Sequence, residues 1–339
     1  GYDNVGAIAG TNKGTIDNVT TLGNTVEALG STDSVVLDGK HVGAAGGVVG
    51  TNNGTVDNAT SRDSVIAGDT SSTTILTTAG GIAGINNGLV ANSQSHSAVI
   101  ASGSKDNTYS LGGIVGVNTA SDKDQDGNII KGLDNVNAYG VTGSSILVDN
   151  TGGITGLNSG TLNDAYNESI VKGSSNVGGI AGTNSGEISL IVIGASVTAE
   201  GDYTGGLVGK TTGSISNGRN NGVITGNDYV GGLVGSNGRG VTLTNLTNDS
   251  SAEIIGEKYV GGIAGENNGN ISNTEDTDGS KGTNLINRGS ITGQNYVGGI
   301  AGKNNGIIKN VNNDIVLKVK DKSITADYFG VVTGILSEK

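Results

Sequence analysis

One short phrase recurs along this chain at fixed phase, and it restricts the possible folds more than any other feature. In its clearest copy it reads Tyr229-Val230-Gly231-Gly232-Leu233-Val234-Gly235. Counted by their last glycine, the copies end at Gly10, Gly50, Gly84, Gly116, Gly156, Gly182, Gly209, Gly235, Gly265, Gly302 and, in degenerate form, Gly334. Two residues before that glycine stands a branched aliphatic every time, from Ile8 and Val48 through Leu233 to Ile300 and Val332. Between Gly156 and Gly235 the spacing settles at 26 or 27 residues. Elsewhere it is longer, which makes about 26 the basic repeat and the excess loop insertion. A period in this range marks a stacked array whose units bury their apolar faces on one another.

Composition fits a narrow, repeated core. Of 339 residues 63 are Gly, aromatics make up 3%, and Pro, Cys, Met and Trp are absent. Large side chains for a conventional core are missing, yet Val, Ile and Leu recur in phase and the net charge is only −12, so the chain is not of the disordered class. Around each phrase lie further apolar runs of about five residues bounded by Gly and Asn. Examples are Gly240-Val241-Thr242-Leu243-Thr244 and Ala252-Glu253-Ile254-Ile255-Gly256, or Gly213 to Asn217 and Gly222 to Gly226. Runs this short, rich in Val, Ile and Thr, are strands. Three strands per unit, each followed by a turn, carry the chain once around, and the next unit pairs in parallel about 4.8 Å above. The expected fold is therefore all-β: a parallel β-helix of about eleven coils, a rod of roughly 50 Å, forming one unit over residues 1–339.

Two residues beyond the phrase runs a row of asparagines: Asn12, Asn52, Asn86, Asn118, Asn158, Asn184, Asn237, Asn267 and Asn304, interrupted by Thr211. Glycine commonly follows two residues later. The expectation is a tight corner at positive φ, with the carboxamides stacked as a ladder. A second row, Tyr203, Tyr229, Tyr259, Tyr296 and Tyr328, stands six residues before the phrase-ending glycine. It is expected to stack at a corner of the rod; the competing use is as a sugar-binding stripe. Insertions concentrate in the N-terminal units (31–41, 69–78 and 102–107), with another at 273–283, and such loops are where partners of a solenoid bind.

The sharpest local motif is Asp122-Lys123-Asp124-Gln125-Asp126-Gly127-Asn128-Ile129. Acids at the first, third and fifth places and glycine at the sixth match a calcium loop, with the Asn128 carbonyl at the seventh. Leu133 stands where the twelfth-place Glu belongs, although Asp134 follows. Asp122, Asp124, Asp126 and Asn128 are therefore the candidate Ca2+ ligands, against the alternative of a solvated acidic loop. Glu275-Asp276-Thr277-Asp278-Gly279 is a weaker echo. No catalytic constellation is expected. His41 and His96 lie in different units, no G-x-S-x-G elbow and no G-x-x-x-x-G-K-[ST] loop occurs, and no repeat phase collects Asp with Arg. With pI ≈ 4.5 and no Lys/Arg stripe, nucleic acid is not an expected partner. No apolar run approaches 18 residues, so no membrane-spanning helix is expected.

The phrase, followed by x-Asn-x-Gly-x-Ile, resembles the GLUG-motif repeats, and the resemblance covers Val5 to about Gly334. These repeats occur in filamentous, haemagglutinin-like adhesins exported by two-partner secretion and in N-terminal regions of streptococcal IgA-specific metallopeptidases. The peptidase zinc motif His-Glu-x-x-His is absent here. The resemblance implies a right-handed parallel β-helix, placement outside the cell or on a bacterial surface, and a role in attachment. The expected protein is a non-enzymatic, monomeric adhesin segment. It opens within a repeat and is expected to be a piece of a longer polypeptide. Its expected partner is a host or bacterial surface glycan or protein receptor. The alternative is a β-helix enzyme acting on polysaccharide.

Overall fold

The structure, a computed structural model, describes residues 1–68, 75–102, 106, 108–143, 146–272 and 285–314, and the backbone of strands at 316–319, 329–330 and 333–336. The acidic echo at 275–279 and Tyr328 lie outside the described residues, as does much of the insertions at 69–78, 102–107 and 273–283.

The chain is a parallel β-solenoid of eleven coils. One turn of the coil reads as four strands: Asp228–Gly231, Val234–Asn237, Thr242–Asn248 and Glu253–Ile255. The first strand of each coil stacks into one sheet and the second into an 11-stranded sheet. The third and fourth rows belong to a single larger sheet, joined because Thr15–Ala28 and Thr55–Ala67 run through both rows without a break. Register holds from coil to coil: Val230 pairs with Val260 and Val260 with Val297, Gly231 with Gly261 and Gly261 with Gly298. Only two strand pairings among the described residues are antiparallel, and both are insertions. Val35–Leu37 folds on Lys40–Gly46, and Asp122–Lys123 on Ile129–Ala138.

The repeated phrase is not one strand, as its spacing suggests, but two meeting at a bend. Leu233 and Val234 both donate their N–H to the carbonyl of Ile263, at 3.1 and 2.9 Å. Two successive amides on one acceptor turn the chain by a corner, which aims the aliphatic of the phrase straight into the core. Val48, Ile82, Ile114, Ile154, Ile180, Leu207, Leu233, Ile263 and Ile300 all have at most 1% of their surface exposed, whereas Ile8, in the terminal coil, is 50% exposed. From the opposite wall come Val56, Val90, Leu133, Leu162, Ile188, Ile215, Leu243 and Ile271, all fully buried.

The glycine doublet is explained by how thin this core is. A Cβ on Gly232 would lie 2.3 Å from the Gly262 carbonyl oxygen and 2.7 Å from the Asn248 amide nitrogen. A Cβ on Gly231 would lie 1.9 Å from the Val234 oxygen. The doublet lets the bend close and lets the far wall press against the backbone.

One expectation fails. The Asn-x-Gly corners do not take positive φ; the ladder asparagines sit at strand ends, and their side chains hold the turn instead. Gly14 N–H, for example, donates to Asn12 Oδ1 at 3.1 Å. Positive φ occurs in two other rows. One is Asn18, Asn58, Asn92, Asn135, Asp164, Leu190, Asn217 and Asn245, which kink the third strand. The other is Asn150, Asn176, Tyr203, Tyr229, Tyr259 and Tyr296, where the chain enters the first strand.

Candidate functional site

Within the rod, the asparagine row forms a continuous buried ladder. Asn12 Nδ2 donates to Asn52 Oδ1 (2.9 Å), Asn52 to Asn86 (2.8 Å), Asn86 to Asn118 (3.0 Å), Asn118 to Asn158 (2.8 Å) and Asn158 to Asn184 (2.8 Å). Asn184 then donates to Thr211 Oγ1 at 3.1 Å, and the ladder resumes from Asn237 through Asn267 to Asn304. Asn237 Oδ1 is buried without a partner, because Thr211 offers it no amide. A second inner ladder, which the sequence reading did not identify, links Asn220, Asn248, Asn287 and Asn313 on the opposite wall. Its signal was available: Asn220 and Asn287 each precede a glycine by two residues and bond its N–H. Apart from Asn237 Oδ1, these amides satisfy one another, and their burial keeps them from a ligand.

The tyrosine row stacks as expected. Ring centroids of Tyr203, Tyr229, Tyr259 and Tyr296 lie 4.9, 4.8 and 4.8 Å apart with planes within 17°. Each ring covers its neighbour's face, so a sugar could reach only edges along most of the row. Lys258 lies over Tyr259 and Tyr296, and Lys303 bonds Glu266 at 2.9 Å beside them. Burial raises the hydroxyl pKa of Tyr203 and Tyr229 above the usual value. Left-handed φ in a tyrosine costs about 1–2 kcal/mol, and stacking of about 0.5–1.5 kcal/mol per ring pair offsets it.

The candidate calcium loop is the tip of the second hairpin. Asp124 accepts the N–H groups of Asp126 (3.0 Å) and Asn128 (2.8 Å) and the Asn128 Nδ2 (2.8 Å), and these bonds hold its carboxyl pKa below the usual value. The Asn128 carbonyl, the seventh-place ligand, accepts the Asp124 N–H at 2.9 Å. Asp122 faces Lys131 across the hairpin at 3.6 Å. Asp126 is exposed. In this arrangement Asp124 caps its own turn and Lys131 balances Asp122. Among the described residues no cluster of three or more His, Cys, Asp or Glu is positioned to hold a metal ion.

The histidines stand apart in role as well as in sequence. His41 Nδ1 lies 3.3 Å from the Ser34 carbonyl in the first hairpin. His96 stacks on Tyr139 at 5.0 Å; burial and nearby Arg62 lower its pKa.

Two concavities lie on the outer surface where the repeat is interrupted. Under the first hairpin is a cleft of about 270 Å³ floored by Leu37, Val117 and Leu157, with Tyr109 donating its hydroxyl to Asp38. At the corner after the second strand, near the C-terminal end, is an open notch of about 550 Å³ beside Arg239. No helix among the described residues is long and apolar enough to cross a membrane. Compared with known proteins, the chain matches no family model, no curated protein and no solved structure.

Proposed function

We propose that this chain is an extracellular adhesin segment, a β-helical rod that serves as a stalk and offers its sides to a glycan or protein receptor on a host or bacterial surface. The observation that carries the reading is where the repeat is kept and where it is dropped. Inward positions repeat coil after coil, as aliphatics and amide ladders. The row before the ladder changes freely: Thr51, Ile85, Val117, Leu157, Thr183, Lys210, Ser236, Glu266 and Lys303 stand in register, and of these Lys210 is exposed, Leu157, Thr183, Glu266 and Lys303 are half-buried, and Thr51, Ile85, Val117 and Ser236 are buried. A scaffold held constant within and varied without suits presentation of surface features along a stiff support. The resemblance to GLUG-motif adhesins agrees with this.

Microscopic beads coated with the folded protein should adhere saturably to epithelial or bacterial cells. Soluble protein should compete, and heat-denatured protein should not. Adherence no better than that of denatured protein, with the protein absent from the surface and medium of the producing cell, would overturn the reading.

A further inference from the structure

The notch at Arg239 coincides with a break in the corner that most other coils hold. Thr211 pairs with Asn237 and Ile215 with Leu243, yet three residues separate Thr211 from Ile215 and five separate Asn237 from Leu243. The second coil therefore carries two extra residues at this turn. Backbone bonding agrees. In a regular corner the glycine two residues after the ladder Asn accepts from the next coil, as Gly269 O does from Ile307 N–H at 2.9 Å. Here that role passes to Val241 O, four residues after Asn237, which accepts from Asn270 N–H at 2.7 Å. Arg239 and Gly240 form a bulge, with Gly240 at φ +76.

The bulge also removes a donor that several corners supply. In five other coils the glycine two residues after the ladder Asn donates its N–H to that Asn's Oδ1. At Asn237 the corresponding residue is Arg239, and the fully buried oxygen, which also receives no amide from Thr211, has no partner. A local rule broken at a cost to the fold is the pattern that function leaves on a scaffold.

The bulge sets an exposed guanidinium beside the carboxamides of Asn268, Asn270 and Asn305, with Ile307 forming an apolar ledge that is 47% exposed. Among the described residues no carboxylate pairs with Arg239, whereas Arg219 is engaged by Asp249. Asn305 donates to Asn268 Oδ1 at 2.7 Å, which leaves the Asn268 amide hydrogens for a ligand oxygen. Asn270 donates to Thr242 Oγ1 at 3.3 Å, which leaves its oxygen as an acceptor.

We propose that this notch binds a sugar residue bearing a carboxylate. The guanidinium takes the carboxylate in its two-pronged geometry. The Asn268 and Asn270 carboxamides take ring hydroxyls, and Ile307 meets the C–H face of the ring. The net charge of −12 repels polyanions, so the fit is to an isolated acid sugar at a glycan end rather than to a heavily sulfated polymer. The proposal deepens the adhesin reading and rests on it.

Saturation-transfer NMR and calorimetry with the full chain test it. Sialyllactose and a glucuronic-acid-terminated disaccharide serve as two arms, each against its neutral parent. At least one acid arm should bind saturably, with Kd on the order of 1 mM or tighter, and shift the side-chain amide signals of Asn268, Asn270 and Asn305. Arg239→Ala should weaken that binding by about tenfold or more, and Arg239→Lys by less. Circular dichroism of both variants should match the parent, because Arg239 is exposed.

Equal binding of neutral parents, unchanged binding by Arg239→Ala, an acidic peptide binding the notch as well as the sugars, or no binding of either acid arm would overturn the assignment. Cell adherence that survives Arg239→Ala would remove the notch and leave the adhesin reading standing.

Discussion

Replacing Thr211 by Asn should stabilise the protein. The register places Thr211 between Asn184 and Asn237 in an otherwise amide-only row. The hydroxyl accepts from Asn184 and donates to the Gly213 carbonyl at 2.8 Å, but it sends nothing to Asn237 Oδ1. A carboxamide at 211 keeps both existing bonds, as Asn52 does when it donates to Gly54 O at 3.2 Å, and adds a donor to Asn237. The size change is small, and the neighbouring coils already accommodate Asn. One net buried hydrogen bond is worth about 1 kcal/mol, and relieving an unsatisfied buried acceptor raises the expected gain to about 1–2 kcal/mol. The mirror substitution, Asn118→Thr, opens the same gap in an intact stretch and should cost about 1–3 kcal/mol. Guanidinium unfolding followed by far-ultraviolet circular dichroism measures both, read as midpoint shifts at constant slope. A neutral or destabilising Thr211→Asn, with Asn118→Thr also neutral, would refute the claim that the ladder contributes to stability.

Four further outcomes are expected. Gly232→Ala forces a methyl within 2.3 Å of the Gly262 oxygen, and with no flexible neighbour to yield it should cost more than about 3 kcal/mol or abolish folding, read in the same unfolding assay. Tyr229→Val loses two ring stacks and puts a β-branched residue at φ 57, so it should lower stability by about 2 kcal/mol or more; Tyr229→Asn, tolerant of that φ, should lose less. Saturating calcium should leave the melting temperature where EDTA leaves it, since Asp122 and Asp124 are already engaged; a ligand present at a hundred times its Kd would stabilise by about 2.7 kcal/mol, and a rise of that size would establish Asp122, Asp124, Asp126 and Asn128 as a calcium site. The Asp124 carboxyl should titrate below the usual carboxylate range in carbon-detected NMR, held down by the Asn128 side-chain and backbone hydrogen bonds. Its folded pKa is depressed, so its contribution to stability is present above the unfolded pKa and is lost as pH falls through the folded one.

The rod was legible because stacking repeats every constraint. An aliphatic two residues before Gly235 says little alone; eleven in phase say that each lies on the next. The Asn12 to Asn304 ladder and the Tyr203 to Tyr296 stack were legible for the same reason. The bend inside the phrase was not, because Gly231-Gly232 reads equally as strand or turn until the far wall is known to press on it. The Asn220 to Asn313 ladder escaped because the same row holds Ile193, and Ala138 earlier, which hides the period. Asp122 to Asn128 matched a ligand pattern by spacing, and spacing alone does not reveal that Asp124 caps its own turn. The Arg239 bulge was visible only as a length difference, whose meaning depends on knowing which residues pair across coils.

The direction of the amide bonds gives the rod a polarity. Along both inner ladders the asparagines donate to the coil that follows, from Asn12 to Asn52 through Asn267 to Asn304 and from Asn220 through Asn287 to Asn313. The outer asparagines donate to the coil before: Asn87 to Asn53, Asn135 to Asn92, Asn176 to Asn150 and Asn305 to Asn268. Each amide carries a dipole of about 3.5 D, so the interior holds two columns of dipoles that point the same way along the axis. The outer pairs run the other way but only in some coils, so a coil added to such a rod extends the inner columns and keeps the two ends of the rod electrostatically distinct.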